Sequence, residues 1–194
     1  AQTFRLVDGK DYCVPYAFTA ATVENTRSFA TAGSLYTVCL PYELNVPAGA
    51  TAYQLSERDG NQLVFTAVTG KLEAMQPYLI KTASANVTLG TDIQQQIPAS
   101  GGNTFGKEKN APGFTMRGTF DYLTNAEAHS LGAYLMQSDN KWYPAPAHVE
   151  AASIPAFRCF LLQKGGANAR ALTTELVDDL TGVETIRTID ADGN

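Results

Sequence analysis

The stretch TAYQLSERDGNQLVFTAV, residues 51–68, decides how this chain is read. In its first arm Tyr53 and Leu55 stand two positions apart. In its second arm Leu63, Phe65 and Ala67 recur at every other position, with Gln62, Val64 and Thr66 between them. A period of two belongs to an extended strand, whose successive side chains point to opposite faces. Asp59-Gly60 lies between the arms, and both residue types tolerate the positive φ that tight hairpins demand. The stretch therefore predicts a β-hairpin with one face against a core.

The same pattern continues outward. Thr69-Gly70 turns the chain, and a strand is expected over 72–82. Pro77 has no N–H to give a ladder, so it should open that strand or lie at an edge. A second hairpin is expected from 131–137, the turn Ser138-Asp139-Asn140, and Lys141-Trp142-Tyr143. The run 157–163 is apolar at consecutive positions, which predicts a central strand buried on both faces. Further strands are read over 4–7, 18–29, 35–40 (ended by Pro41), 115–122 and 171–177. Two short stretches read as turn-like or helical. One is 91–96; the other is 124–130, where Thr124 and Glu127 form a capping-box pair. The Gly-rich segment 99–113 reads as a long loop.

Together these elements predict an all-β fold, an antiparallel β-sandwich of about ten short strands. One domain is expected over 1–177, with two subdomains divided near 100–113 as the architectural alternative. Residues 178–194 are acidic and read as a linker or disordered tail.

Bulk composition narrows the function. The 194 residues suffice for a core without a metal or disulfide staple. The net charge of −5 comes with no basic run, which argues against nucleic acid as a partner. No stretch approaches the ~18 apolar residues of a spanning helix, so no transmembrane segment is expected. Ala1-Gln2-Thr3 carries no basic region followed by an apolar core. Either a signal peptide has been removed or it lies outside this sequence, and its absence does not argue for a cytosolic home. Cys13, Cys39 and Cys159 can form at most one pair. Cys39 and Cys159 lie in apolar runs, where a small buried thiol and a Cys39–Cys159 bridge are the two readings.

Candidate chemistry is sparse. His129 and His148 both fall in polar or Pro-rich segments, away from any strand–nucleophile–helix turn. Asp121, Glu127, Glu57, Asp59 and Glu73 are strand-end or loop acids that any β-protein supplies, so no hydrolytic pair is assigned. Gly101-Gly102 leads into no phosphate loop, and Asp190-Ala191-Asp192-Gly193-Asn194 lacks the glutamate that completes a calcium loop. No catalytic residue, cofactor or metal is expected. The one surface feature assigned a role is aromatic. Trp142 and Tyr143, with Tyr134 on the facing arm, would offer ring faces to a sugar, and Gln137, Asn140 and Lys141 would bond its hydroxyls; the other reading is that the indole covers the end of the core.

Several segments resemble one family. Tyr36-Thr37-Val38-Cys39-Leu40-Pro41-Tyr42 followed by Val46-Pro47-Ala48-Gly49 and Ala52-Tyr53-Gln54-Leu55 is similar to a recurring stretch of secreted and outer-surface proteins of Bacteroidetes-type bacteria. Gly70-Lys71-Leu72-Glu73-Ala74-Met75-Gln76-Pro77-Tyr78-Leu79-Ile80 resembles their next segment. Leu6-Val7-Asp8-Gly9-Lys10-Asp11-Tyr12 resembles their opening, and Ile154-Pro155-Ala156-Phe157-Arg158-Cys159-Phe160 their closing strand. Thr181-Gly182-Val183-Glu184-Thr185 looks like the linker after it. The resemblance implies an exported, adhesin-like β-sandwich with no shared catalytic residues. The function expected is non-catalytic contact with a glycan or protein on a host or bacterial surface. A structural spacer of a larger surface protein is the alternative, and a secreted hydrolase comes third.

Overall fold

The computed structural model describes residues 2–102, 104–165 and 170–178. The acidic tail, with its linker match and its Asp190–Asn194 stretch, lies outside the described residues except for Asp178. In chain order the first elements are β1 (Thr3–Arg5), β2 (Phe18–Ala20), β3 (Thr22–Glu24), β4 (Thr26–Ser28), β5 (Leu35–Val38) and β6 (Leu44–Asn45). Next come β7 (Ala50–Asp59), β8 (Gln62–Val68), β9 (Lys71–Leu72), β10 (Tyr78–Thr82), β11 (Asn86–Thr88) and β12 (Gln95–Ile97). The last are β13 (Phe105–Ala111), β14 (Phe114–Thr119), α1 (Asn125–Ser130), β15 (Tyr134–Met136), β16 (Trp142–Pro144), β17 (Cys159–Gln163) and β18 (Thr173–Val177).

Two five-stranded sheets dominate, one ordered β18-β8-β7-β10-β5 and the other β13-β14-β17-β15-β16. The all-β, sandwich-like architecture read from the sequence is the one found. The hairpin that decided it is β7–β8, with Leu55 opposite Phe65 and Asp59 opposite Gln62. The turn sits one residue later than read, at Gly60-Asn61, and Gly60 supplies the positive φ of 57°. Leu63, Phe65 and Ala67 are buried and their neighbours are not, as the alternation requires. Pro77 stands just before β10, where its missing N–H interrupts no ladder.

The second sheet has apolar cover on both faces. Cys159 and Leu161 of β17 point into the large core shared with the first sheet. Phe160, between them, points the other way into a smaller cluster with Leu123, Ala128, Leu135 and Ile154. That is why β17 reads as an unbroken apolar run. The capping-box helix α1 roofs this smaller cluster. Thr124 accepts from Glu127 N–H while the Glu127 carboxylate accepts from Thr124 N–H at 2.8 Å.

Five expectations are corrected. The stretch 18–29 is not one strand but three, because each piece pairs with a different partner: β2 with β12, β3 with β1 and β4 with β11. These small pairings also raise the count from about ten to eighteen strands among the described residues. The segment 99–113 is not one long loop, since β13 takes up its middle, Phe105–Ala111, as an edge strand on β14. Phe105 anchors it edge-to-face on Phe160 at 5.9 Å. Residues 91–96 form no helical turn, for Thr91 bridges Val23 and the chain then enters β12. Nor is the pairing wholly antiparallel, because β1–β3 and β18–β8 run parallel. Among the described residues no helix is long and apolar enough to cross a membrane.

Candidate functional site

The residues assigned to sugar contact do not form one surface. The Trp142 indole is 0% exposed. It stacks on Phe65 with ring centroids 6.2 Å apart and planes 8° apart, and its Nε1 donates to Thr174 Oγ1 at 3.1 Å. Its backbone exchanges two 2.9 Å hydrogen bonds with Leu172, which ties the edge of one sheet to that of the other. Of the two readings of Trp142, the core one holds and the exposed sugar platform is corrected: the ring is packed inside the shared apolar interior. Tyr134 is also buried, edge-to-face with Phe114, and its hydroxyl donates to Gln163 Oε1 at 2.9 Å.

The hairpin turn between β15 and β16 is present as read. Asn140 takes φ 60°, and Asp139 accepts from Lys141 N–H and from the Tyr143 hydroxyl. Those two bonds, the hydroxyl's first, hold the Asp139 carboxyl below its usual range. Tyr143 is thus half-exposed but engaged with its own turn. Gln137, at the start of the turn, is exposed.

Gln137 leads to the site the sequence reading missed. It lines a cleft of about 430 Å³ with Met136 and Ser138 on one side. Residues 34–37 and 151–155 complete the rim, and Arg27, Arg158 and Cys159 lie in its wall. The cleft sits where β5, the edge of the first sheet, passes β17 of the second. Thr37 connects them: its Oγ1 accepts from Cys159 N–H at 2.9 Å, and its carbonyl accepts from Arg27 Nη1 at 2.7 Å.

Arg27 is 3% exposed, and its Nε is buried with no hydrogen-bond partner. The guanidinium lies 4.7 Å from the Phe29 ring centroid and 5.7 Å from that of Tyr36. Burial, and after it the charge of Arg158, work against its cationic form and push it down to about 9, while Asp8 pulls the other way. Arg158 is itself matched: it grips Asp8 through two bonds of 2.7 Å. The signal for Arg27 was in the sequence. Val23, Asn25, Arg27 and Phe29 fall on every second position and are all buried, so the arginine lies in phase with the apolar face. Arg158 lay inside the run read as a buried strand.

One step along the same seam, Cys39 and Cys159 are both free thiols. They lie in hydrogen-bonding contact, and Cys159 Sγ donates to Val38 O at 3.3 Å. Burial, then the bond to Cys159, push the Cys39 thiol well up, which keeps it protonated and unreactive.

The two histidines do share a hollow. Tyr122, Thr124, His129, His148 and Glu150 line a depression of about 600 Å³ beside α1. His129 Nδ1 is 2.8 Å from Ala145 O, and the Thr124 hydroxyl donates to Glu127 within the helix cap. No serine or cysteine lines this hollow. An activated nucleophile needs a base beside it and a group orienting that base, and the hollow assembles no such set. Among the described residues no three His, Cys, Asp or Glu side chains gather as a metal site.

The class these observations define is a β-sandwich-like protein with a preformed polar cleft at the seam of its sheets. No known family, curated protein or solved structure matches the chain.

Proposed function

We propose that the chain is a non-catalytic contact module of a secreted or outer-surface bacterial protein, and that it engages a glycan or protein through the seam cleft. The carrying observation is the cleft itself. It falls within the size range of small-ligand sites, and polar groups from several elements converge on an apolar floor. Leu135 and Ile154 belong to a packed cluster, so the floor is held by the fold. The rim, by contrast, comes from turns and bends, where recognition residues commonly reside. The segments that resemble exported surface proteins include 36–42 and 154–160, which carry parts of the cleft wall, and this supports the adhesin-like reading.

A glycan and protein-fragment array probed with the full chain tests the proposal. Ser138→Trp, on the exposed rim, should abolish the captured signal while the melting temperature stays unchanged. Binding that survives this substitution places the contact surface elsewhere. The absence of any ligand favours a structural spacer.

A further inference from the structure

The cleft holds a positive charge that the protein leaves unmatched. Arg27 and Arg158 both reach its wall, and Asp8 is the carboxylate that answers them. Asp8 gives both oxygens to Arg158. Arg27 donates once, to the Thr37 carbonyl, and forms no ion pair among the described residues. The Phe29 and Tyr36 rings favour a cation over their faces but supply no countercharge. No acidic side chain lines the cleft, although the chain as a whole carries −5. A charge withdrawn from water is strongly disfavoured unless an opposite charge joins it. Arg27 nevertheless stays cationic at neutral pH, so the cleft is a positive spot in an acidic protein.

We propose that the seam cleft is a carboxylate-binding subsite whose ligand is an acidic sugar, with its carboxylate paired to Arg27 and its ring resting on Leu135 and Ile154. The inference rests on the cleft being the contact site proposed above and names its ligand class. A guanidinium N–H pairs strongly with a carboxylate, and with Nε buried and Nη1 given to Thr37 O, the pairing falls to the remaining Nη2 edge of Arg27. The excess in the wall is a single positive charge, which suits a monoanion. A dianionic phosphate would call for both arginines, and Asp8 already holds one. The remaining lining has the mixed character a pyranose needs. Gln137, Ser138 and Ser34 offer amide and hydroxyl groups for sugar hydroxyls, and the apolar floor suits C–H faces.

The test is a titration of the full isotope-labelled chain, read from amide shifts at 34–37, 135–138 and 151–158. The probes are D-glucuronate, N-acetylneuraminate, D-glucose, acetate, inorganic phosphate and a short neutral peptide with a free C-terminal carboxylate. At least one acidic sugar should bind about tenfold or more tightly than glucose. Acetate should move the same resonances weakly. Ser138→Glu and Ser138→Lys change the charge at the exposed rim without touching the core. The first should weaken acidic-sugar binding several-fold and the second strengthen it, with unchanged melting temperature, while any loss of glucose binding from the missing Ser138 hydroxyl should be the same in both variants. Arg27→Gln should erase the preference for the acid. If that buried variant fails to fold, the Ser138 pair carries the test.

Glucose binding as tightly as both acids, phosphate outcompeting them, or acid binding indifferent to charge at Ser138 overturns the proposal. So does a peptide carboxylate that binds as well as the sugars. Neutral-sugar binding in the cleft with no preference for acid sinks the carboxylate and leaves the contact function standing. No ligand of any kind in the cleft sinks both.

Discussion

Strand β5 meets the second sheet in two different ways within a few residues. At Cys39, just past its end, the seam is shut. Gly118 of β14 comes so close that an added Cβ would lie 2.2 Å from Cys39 Cβ and 2.4 Å from its Sγ. Gly106 of β13 approaches the same thiol, with an added Cβ at 2.8 Å. The missing side chains let two strands close over the cysteine, and the thiols fill what space remains. At Thr37 the seam is open. There the neighbour is Arg27, whose long charged side chain leaves a cleft with polar walls. The difference teaches that the sheets are locked by what is absent at one point and held apart by what is charged at the next. Stability belongs to the closed stretch, and the recognition proposed above would belong to the open one.

The strongest way to break this comparison is Gly118→Ala. Its methyl would collide with a buried backbone-attached carbon that cannot swing away, and overpacking of this kind should cost about 3 kcal/mol or more. Urea unfolding reads the loss, and pairing the change with Cys39→Gly should recover part of it. Near-normal stability for the single variant would mean that the closed seam yields easily.

A second test concerns Tyr42, which follows the closed stretch. Its hydroxyl takes a 2.9 Å bond from Asn25 Nδ2 and gives one of 2.7 Å to Leu89 O. Tyr42→Phe should cost about 1–3 kcal/mol by leaving those groups unmatched. Burial raises the Tyr42 and Tyr12 hydroxyls above their ordinary value of 10.0. The folded chain then keeps protons that the unfolded chain releases. Stability from this source is complete below about pH 10 and is lost as pH rises further. Tyrosinate absorbance from these two rings should therefore appear together with unfolding. Ionisation that runs ahead of unfolding would show the hydroxyls to be wet.

The smallest expected effect sharpens the open side. Arg27→Met removes the bond to Thr37 O but also the unmatched buried charge. The two should nearly cancel, within about 1 kcal/mol and tending towards greater stability. A large destabilisation by thermal unfolding would make Arg27 a structural post instead of a recognition group.

These contrasts also explain which parts of the molecule were legible in its sequence. The β7–β8 hairpin, the Asn140 turn and the Thr124 cap are local devices, each complete within a short span, so their residue types announce them. Strand β13 was missed because Lys107, Glu108 and Asn110 face solvent along an exposed edge, and the partners that order it lie elsewhere in the fold. The breaks at Ala21 and Asn25 come from changes of pairing partner, which leave no mark in a run of β-branched residues. Trp142 followed a turn, which suggests exposure, yet its neighbour in space is Phe65, far away along the chain. Arg27 could have been found by trusting the alternation through a charged residue.

The parallel strand β18 has a consequence for how the chain comes to be made. Thr173 donates its N–H to Asn61 O at 2.9 Å across a separation of 112 residues. On a ribosome adding about 5–20 residues each second, the β8 flank of the hairpin waits roughly 5–20 s for the segment that will cover it. During that interval its backbone groups are bare and could pair with a neighbouring nascent chain. Synthesis is where this protein is most vulnerable, and a holding chaperone that masks residues 62–66 would relieve it.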